Sequence, residues 1–597
     1  MTRLFNDPSQ FADEALDGFA AAHRRWVRRV PGGVVRAAAH PSKGVAVVVG
    51  GGSGHYPAFS GLVGEGMAHG AVAGNVFASP SAGQICSVAR AASGEGGVLL
   101  AFGNYAGDVL HFGQAREMLI GEGIACETVT VTDDVSSAGK AEISKRRGIA
   151  GDLAVIKIAA AAADAGQPLS EVTRLAQLAN QRTRSFGVAF SGCTLPGSDA
   201  PLFEIPHGRM AVGLGIHGER GLGEQDVPSA DKAAQLLVDT LLAELPDGVD
   251  NVEGQHVAAI LNGLGAVKYE ELFVVYRRVD QLLHEHQLVV VEPEVGEFVT
   301  SFDMAGLSLT LCWLDGELEV LWRAPADAPA YRKRVLQQPT GDAAPKASAE
   351  VVNETLPLAK ATEASQQAAR LVAVGLEVAS RTVNDHVDEL GRIDAVAGDG
   401  DHGIGMQRGA AASAAAATEA VLLGAGAGTL LRLAADAWAD RGGGTSGALW
   451  GAALRGAGSL ITDELMPDGD LVSRAVARAL DEIVRLGGAK VGDKTMVDAL
   501  APFSETLSRD VADGVDLAAA WAHAAQVAQT AAEGTADLMP RVGRARAHAG
   551  HSLGTPDPGA VSLALIVDAV RERLLHRLGD SPTFVRDAAT SGERDLP

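Results

Sequence analysis

The sequence changes its alphabet once, and that change sets most of what the chain can fold into. Up to residue 331, short runs of Val, Leu and Ile end in glycine loops, the signature of buried strands in an α/β domain. Beyond residue 358, β-branched runs almost vanish. Ala/Leu-rich amphipathic segments of 15 to 25 residues then follow one another between glycine breaks, which reads as an all-α domain of six to eight helices. The stretch between, residues 332–358, is polar, rich in Pro and Ala and without period, and reads as a linker. The expected organisation is therefore an α/β region over 1–331, an all-α region over 359–580 and a tail over 581–597. A chain of 597 residues is too long for one core, in keeping with several domains.

Within the first region a helix is expected over Phe11–His23, started by Asp7-Pro8-Ser9. Val45–Val49 then runs into Gly50-Gly51-Gly52-Ser53-Gly54-His55, Gly97–Phe102 into Gly103-Asn104-Tyr105-Ala106-Gly107-Asp108, and Ala125–Val131 into Thr132-Asp133-Asp134. Helical stretches lie at Ala82–Ala92, Gly113–Ile120, Ala154–Ala165 and Leu169–Arg184. A second strand-rich section opens near residue 185 and includes Met210–Gly215, Val257–Leu261 and Gln287–Val291, so two subdomains are expected. Leu307–Leu314 and Glu317–Trp322 flank Asp315-Gly316, which predicts a hairpin at an antiparallel edge.

Charge and cysteine usage narrow the class. A net charge of −24 argues against a general nucleic-acid or anionic-membrane binder, because the long-range field repels phosphate. Cys86, Cys126, Cys193 and Cys312 form no CxxC pair, so neither a zinc site nor a disulfide framework is indicated. No signal-peptide core and no run of 18 apolar residues occurs, and a cytoplasmic protein is expected.

Four loops carry chemistry. Asp394-Ala-Val-Ala-Gly-Asp399-Gly-Asp401-His402-Gly403 places three carboxylates within eight residues, an arrangement no packed face requires. Such crowding suits a hard cation; the spacing does not match an EF-hand, which leaves Mg²⁺. A solvated acidic turn is the alternative. Gly50–His55 fits neither G-x-G-x-x-G nor the Walker pattern, whose nearest approach is Gly487–Thr495 with Asp493 inserted before Lys494. It is still a close-approach site for a small ligand, with His55 at its end and Asp108 ending the next strand-loop as an acid/base partner. An uninvolved histidine at a helix start and an N-cap aspartate are the alternatives. His217 stands among the glycines of Gly213–Gly221, where small molecules could reach its imidazole. Gly442–Gly447, before an expected helix at Ala448–Leu454, suits phosphate oxygens or a tight turn between helices.

Taken together and in order, these stretches resemble the dihydroxyacetone kinase family from about residue 1 to 580. The substrate (K-type) domain is recognisable in Gly50–His55, Asn104–Asp108, Lys145–Asp152, Gly192–Gly197 and Gly213–Gly218. The nucleotide (L-type) domain is recognisable in Asp394–Gly403, Gly443–Gly447, Gly492–Asp498, Gly543-Arg544-Ala545 and Asp557–Ala560. The resemblance implies an α/β ketose-binding domain followed by an antiparallel barrel of eight helices, with ATP and Mg²⁺ as cofactors. It implies that His217 adds to the substrate's keto carbon as a hemiaminal, and that His55 and Asp108 handle the proton of the attacking hydroxyl. Gly52, Ser53, Gly54, Tyr56 and Gly103 complete the implied substrate site. Asp394, Asp399 and Asp401 are the implied metal ligands. His402, Gly403, Ile404, Gly405, Thr445, Ser446, Gly487, Met496, Arg544, Asp557, Pro558 and Gly559 are the implied nucleotide site. Substrate and nucleotide then belong to different domains that the linker lets meet, across a homodimer if the resemblance extends so far.

Two departures from the family pattern bear on the substrate. Tyr56 stands where the pattern has Glu, and Gly103 stands where a lysine is common, which predicts altered polarity and, at Gly103, more room. A ketose larger than dihydroxyacetone, such as erythrulose, is the expectation, with plain dihydroxyacetone phosphorylation, a flavin-nucleotide lyase side activity and a ligand-sensing regulator as alternatives.

Overall fold

A computed structural model describes residues 4–38, 43–219, 221–334, 360–396, 398–442, 444–542 and 550–576. The chain divides into two compact units, Met1–Pro345 and Lys346–Pro597. The division falls inside the expected linker, most of which, like the expected tail, lies outside the described residues. Among the described residues no helix is long and apolar enough to cross a membrane.

Among the described residues the first unit holds two large sheets and one two-stranded pair. After α1 (Phe11–Ala22), six strands form the first: β1 (Val27–Val30), β2 (Gly33–Arg36), β3 (Ala46–Ser53), β4 (Gly70–Val76), β5 (Val98–Gly103) and β6 (Cys126–Val131), in the order β1-β2-β4-β3-β5-β6. β4, β3, β5 and β6 run parallel, whereas β1 and β2 add an antiparallel edge. Helices α2 (Ala82–Ala92) and α3 (Ala106–Gly121) supply crossovers, and α2 is closed by a capping box between Ser81 and Gln84.

Helix α4 (Gly151–Asp164) is buried at every position from Gly151 to Ala163 and packs against both sheets. Its run of Ala, Ile and Val is apolar all round, as a helix wrapped on all sides must be. Two titratable side chains, Asp152 and Lys157, interrupt that buried run, and Lys157 sends its ammonium to the Leu321 carbonyl at 3.0 Å. Helix α5 (Leu169–Gln181) leads to β7 (Thr183–Ala189), the first strand of the second sheet.

That sheet continues with β8 (Arg209–Val212), β9 (Gly223–Asp226), α6 (Ala230–Leu242), β10 (His256–Gly263), α7 (Tyr269–Glu285), β11 (Val289–Val290), β12 (Glu294–Gly296) and β13 (Gly306–Leu314), in the order β11-β10-β13-β7-β8-β9 with β12 also on β10. The expected edge hairpin is not there. β13 lies between β10 and β7 with all nine residues buried, and Gly316–Arg323 is a helix, α8. The alternation Leu318-Val320-Trp322 imitates a strand, but Asp315 accepts from the Glu317 and Leu318 amides at 3.1 and 2.9 Å, an N-cap. Leu318 and Trp322, four apart, are buried while Val320 is exposed, so the 3.6-residue period prevails. A short pair, β14 (Ala326–Asp327) with β15 (Arg332–Lys333), follows, so residues 332 and 333, expected in the linker, are strand.

The second unit is helical: α9 (Glu363–Asp385), α10 (Val387–Asp394), α11 (His402–Leu422), α12 (Ala427–Gly442), α13 (Gly444–Leu460), α14 (Gly469–Gly487), α15 (Val497–Ala512), α16 (Leu517–Gly534) and α17 (Pro558–His576). Each long helix packs on the next, and α17 returns to α9, so eight helices close a ring onto which short α10 packs. Alanine lines most of the core, which lets the helix axes approach closely, and Trp438 stacks on Trp450 with ring centres 4.8 Å apart.

The cap of α8 makes a test. Asp315→Ala is expected to destabilise the protein by about 1 kcal/mol, read as a lower urea midpoint with an unchanged slope; no change contradicts the helix assignment.

Candidate functional site

Each unit presents one candidate site. In the first, β3 ends at Ser53, a left-handed Gly54 turns the chain, and His55 follows almost wholly buried. No helix begins there, so His55 is not a helix-start residue. Its Nδ1 lies 2.7 Å from the Thr300 carbonyl, which only accepts, so that nitrogen carries the proton. Its Nε2 faces His217 Nε2 at 3.0 Å, and His217 Nδ1 lies 3.0 Å from a Glu219 carboxylate oxygen. With both Nδ1 atoms donating, the two Nε2 atoms would present lone pairs to each other; one shared proton makes that distance attractive. Burial, and then the neighbouring His217 charge, pulls His55 down to about 3, so His55 gives up such a proton readily.

Aromatic rings fix the pair. Phe77 stacks on His55 with centres 5.0 Å apart, and Phe77 and Tyr105 meet the His217 ring nearly at right angles at 5.0 and 4.8 Å. The Tyr105 hydroxyl donates to the Gly148 carbonyl at 2.9 Å. Asp108 sits inside the first turn of α3, whose N-cap is Tyr105, so it is not a cap. It is buried, and its Oδ1 has no hydrogen-bond partner among the described residues. Burial pushes its carboxyl up to about 6, against the Ser79 hydrogen bond and the His217 and His111 charges.

The other residues implied for this site divide. Ser53 spends its hydroxyl on the Gly74 carbonyl at 2.6 Å, and the Ser53 and Gly54 carbonyls accept the Phe77 and Phe302 amides. Gly52 packs where a Cβ would meet the Phe77 backbone at 3.0 Å, so this loop shapes the pocket wall. Tyr56 is half-exposed with its ring against Phe19, not against His217. The room expected at Gly103 is occupied by Tyr105, whose ring would stand 3.2 Å from a Cβ there.

The second unit contains a cavity of 480 Å³, within the size range of small-molecule sites. Its wall includes Asp394, Asp399, Asp401, His402, Ile404, Gly405, Thr445, Ser446, Gly487, Met496, Asp557, Pro558 and Gly559. Gly403 stands behind it, packed on the Val387 carbonyl, and Arg544 lies outside the described residues. One carboxylate oxygen from each of Asp394, Asp399 and Asp401 can be chosen so that all lie within 4.8 Å of one another. Asp394 ends α10, Asp401 precedes α11, and a Cβ at Gly398 would stand 2.3 Å from an Asp394 carboxylate oxygen, so glycine is needed to fold the loop this tightly. Three hard oxygen donors on a tight loop fit a divalent cation of the Mg²⁺ type.

His402 bridges helices, with Nε2 3.1 Å from the Ser562 hydroxyl and Nδ1 3.4 Å from that of Ser446. Burial pushes the Asp557 carboxyl up to about 7, and it accepts the Ala560 amide at 2.8 Å. The Walker-like near miss has a structure of its own. Asp498 accepts the Thr495 amide at 2.8 Å, and buried Lys494, with φ +62°, reaches the Ser552 carbonyl at 2.7 Å in the cavity wall.

Sequence reasoning missed Glu219, Arg147, Phe77 and Thr300 in the first site and Lys494 and Ser552 in the second. Glu219 and Arg147 lay inside motifs already singled out; Phe77 and Thr300 gave no local signal.

Comparison with known proteins covers both units. Residues 17–330 match the Dak1 domain and residues 396–572 the DAK2 domain. The chain is 61% identical to an L-erythrulose kinase of Pectobacterium atrosepticum over 96% of each chain. It is 52% identical to a D-erythrulose kinase of Mycolicibacterium smegmatis, covering 96% of this chain and 98% of that one. A crystal structure of the dihydroxyacetone kinase from C. freundii in complex with AMP-PNP and Mg²⁺ aligns at TM-score 0.56 and 32% identity, over 96% of this chain and 99% of that one.

Removing one of three crowded carboxylates relieves repulsion. Asp399→Ala and Asp401→Ala are therefore expected to melt, metal-free, no lower than the parent, while losing roughly tenfold or more in Mg²⁺ affinity by calorimetry. A lower metal-free Tm would show that the loop is held together by something other than a cation site.

Proposed function

This chain belongs to the dihydroxyacetone kinase family, and on that premise we propose that it is an ATP-dependent kinase phosphorylating a hydroxyl of a short-chain ketose, with erythrulose as the preferred substrate. The observation that carries the reading is the His55–His217 pair, 3.0 Å apart at the ends of two strand-loops, beside a buried Asp108. Such a pair suits a carbonyl compound, which a histidine nitrogen can attack, and not a plain polyol.

The proton between the two histidines moves onto His55 Nε2, which frees the His217 Nε2 lone pair to add to the keto carbon; the π electrons move to the carbonyl oxygen, and His55 gives that oxygen the proton. The product is a hemiaminal whose hydroxyl remains beside His55 Nε2. Capture fixes the sugar so that a terminal hydroxyl comes to Asp108, whose unpartnered oxygen and raised affinity for protons suit a general base near neutral pH. Phe77 and Tyr105 wall the His217 ring and keep water from its faces.

ATP is held by the cavity of the second unit, with Thr445, Ser446 and the Pro558-Gly559 turn as its polar and backbone contacts and Met496 and Ile404 as apolar ones. Asp394, Asp399 and Asp401 hold Mg²⁺, which when bound neutralises charge on the phosphate oxygens. The names of the two erythrulose kinases, at 61% and 52% identity, support a four-carbon ketose, and because they act on opposite hands the stereoisomer is left to measurement. The presence of His217, His55, Asp108 and all three loop aspartates disfavours a non-catalytic sensor.

An ADP-release assay with Mg-ATP on L-erythrulose, D-erythrulose, dihydroxyacetone and glycerol tests this. Turnover is expected on ketoses but not glycerol, with kcat/KM highest on an erythrulose; equal turnover of glycerol would defeat the carbonyl-capture reading, and a preference for dihydroxyacetone would defeat the substrate assignment.

A base protonated at low pH is inactive, and burial has raised Asp108, so kcat/KM is expected to fall below about pH 6. Asp108→Asn should abolish that limb and cost about 10²- to 10⁴-fold in kcat.

A further inference from the structure

The face of His217 turned away from His55 is occupied by a carboxylate. Glu219 closes on it twice, accepting the His217 backbone N–H at 3.0 Å through one oxygen and lying 3.0 Å from the ring Nδ1 through the other. Burial alone would raise the Glu219 carboxyl, but the hydrogen bond and charge of His217 outweigh it and hold the group ionised. Behind Glu219 stands Arg147, 3.8 Å from the oxygen that accepts the His217 amide and 2.8 Å from Asp134. Asp134 is almost wholly buried and accepts the Ser136 amide at 2.9 Å. These residues come from three separate stretches, the loop after β6, the turn before α4 and the loop after β8. Gly215 makes their meeting possible, since a Cβ there would stand 2.1 Å from the Glu219 carboxylate and 2.5 Å from Arg147.

We propose that Glu219, braced by Arg147 and Asp134, is a positioning residue that makes Nε2 the attacking nitrogen of His217 and holds the positive charge of the ring in the captured state. The proposal rests on the capture reading above. Imidazole can attack through the nitrogen that lacks a proton, and a carboxylate at Nδ1 keeps the proton there, leaving Nε2 toward His55. When Nε2 forms the bond to carbon and the carbonyl oxygen takes the shared proton, Nδ1 keeps its own. The ring is then a cation, the total charge of the pair is unchanged, and Glu219 is its counter-ion. The other groups that face the ring are Phe77, Tyr105 and His55, with Asp108 acting by charge; Phe77 has no polar atom, the Tyr105 hydroxyl is spent on Gly148 and His55 faces Nε2.

The test uses the full chain and a ketose ¹³C-labelled at the keto carbon, read by NMR for the shift from carbonyl to hemiaminal, together with steady-state kinetics. Glu219→Gln, similar in shape but uncharged, is expected to raise the ketose KM and to lower the hemiaminal population at fixed ketose, each by about 10- to 100-fold, the worth of one hydrogen bond to a charged group. Its kcat at saturating ketose and its KM for ATP are expected to change far less. Arg147→Lys, which keeps a cation but loses the forked contact, is expected to move in the same direction by less, and it carries the test if the Gln variant does not fold. A Glu219→Gln protein with unchanged KM and hemiaminal population overturns the proposal. So does one whose Tm and kcat fall with ketose KM unchanged, the mark of a merely structural role. A parent enzyme that turns over ketose without any hemiaminal signal overturns the capture reading, and this inference with it.

Discussion

One buried carboxylate, Asp133, ties together what positions the first site. Its two oxygens accept the amides of Ile149 and Gly151 at 2.9 and 2.8 Å, and its own carbonyl accepts the Ser185 amide at 2.8 Å. The end of β6, the start of α4 and the start of β7 are thereby joined, which means the first sheet, the central helix and the second sheet share one polar knot. Burying that carboxylate raises its proton affinity, and the Ser185 hydroxyl and the two amides answer the cost. The positive end of α4 acts the same way. The segment between Asp133 and Gly151 is held at both ends, and it carries Arg147, which braces Glu219, and Gly148, whose carbonyl anchors Tyr105. Arg146 fixes the same segment from the other side, forked onto Glu244 at 2.7 Å through both nitrogens. The ring geometry around His217 therefore depends on a residue that never touches it.

This explains which parts were legible from sequence. Strands β3 and β5 lie inside the parallel part of the sheet and read as continuous apolar runs into glycine loops, so both their existence and the ligand side of the sheet could be anticipated. His55, Asp108 and His217 stood at the ends of such loops and were identified individually. The contact that orients His55 was not legible, because its partner is Thr300, 245 residues away, and no local pattern encodes a contact of that range. α8 was misread for the opposite reason. Eight residues are too few for a helical period to outweigh an apparent alternation, and only the Asp315 cap and the burial of Leu318 and Trp322 decide between them.

In the second unit the grouping of the three aspartates was legible because it is local: four residues stand between Asp394 and Asp399, and the chain alone can close that distance. The remainder of the cavity is assembled from helix ends far apart in sequence. Lys494 illustrates the limit. The Walker template fails at Asp493, and only the fold shows Lys494 turned into the wall by a left-handed backbone and held by Ser552, 58 residues on.

A chain with a charge of −24 that binds a polyphosphate needs a local reversal of sign, and the helical ring supplies one. Neighbours in the ring follow one another in sequence, so alternate helices begin at the same end. Helices α11, α13, α15 and α17 start at His402, Gly444, Val497 and Pro558, and all four of those residues line the cavity. Each such start carries roughly half a positive charge. Arg408 and Lys494 add two full charges to the same wall. The three loop aspartates oppose this field, which is the physical reason to expect a metal beside them: without a cation they would repel the phosphates that four helix ends attract. A ring with a repeated up-and-down path thus places its donors at one mouth by topology alone, and the acidic loop at that mouth selects a ligand that arrives with its own counter-ion.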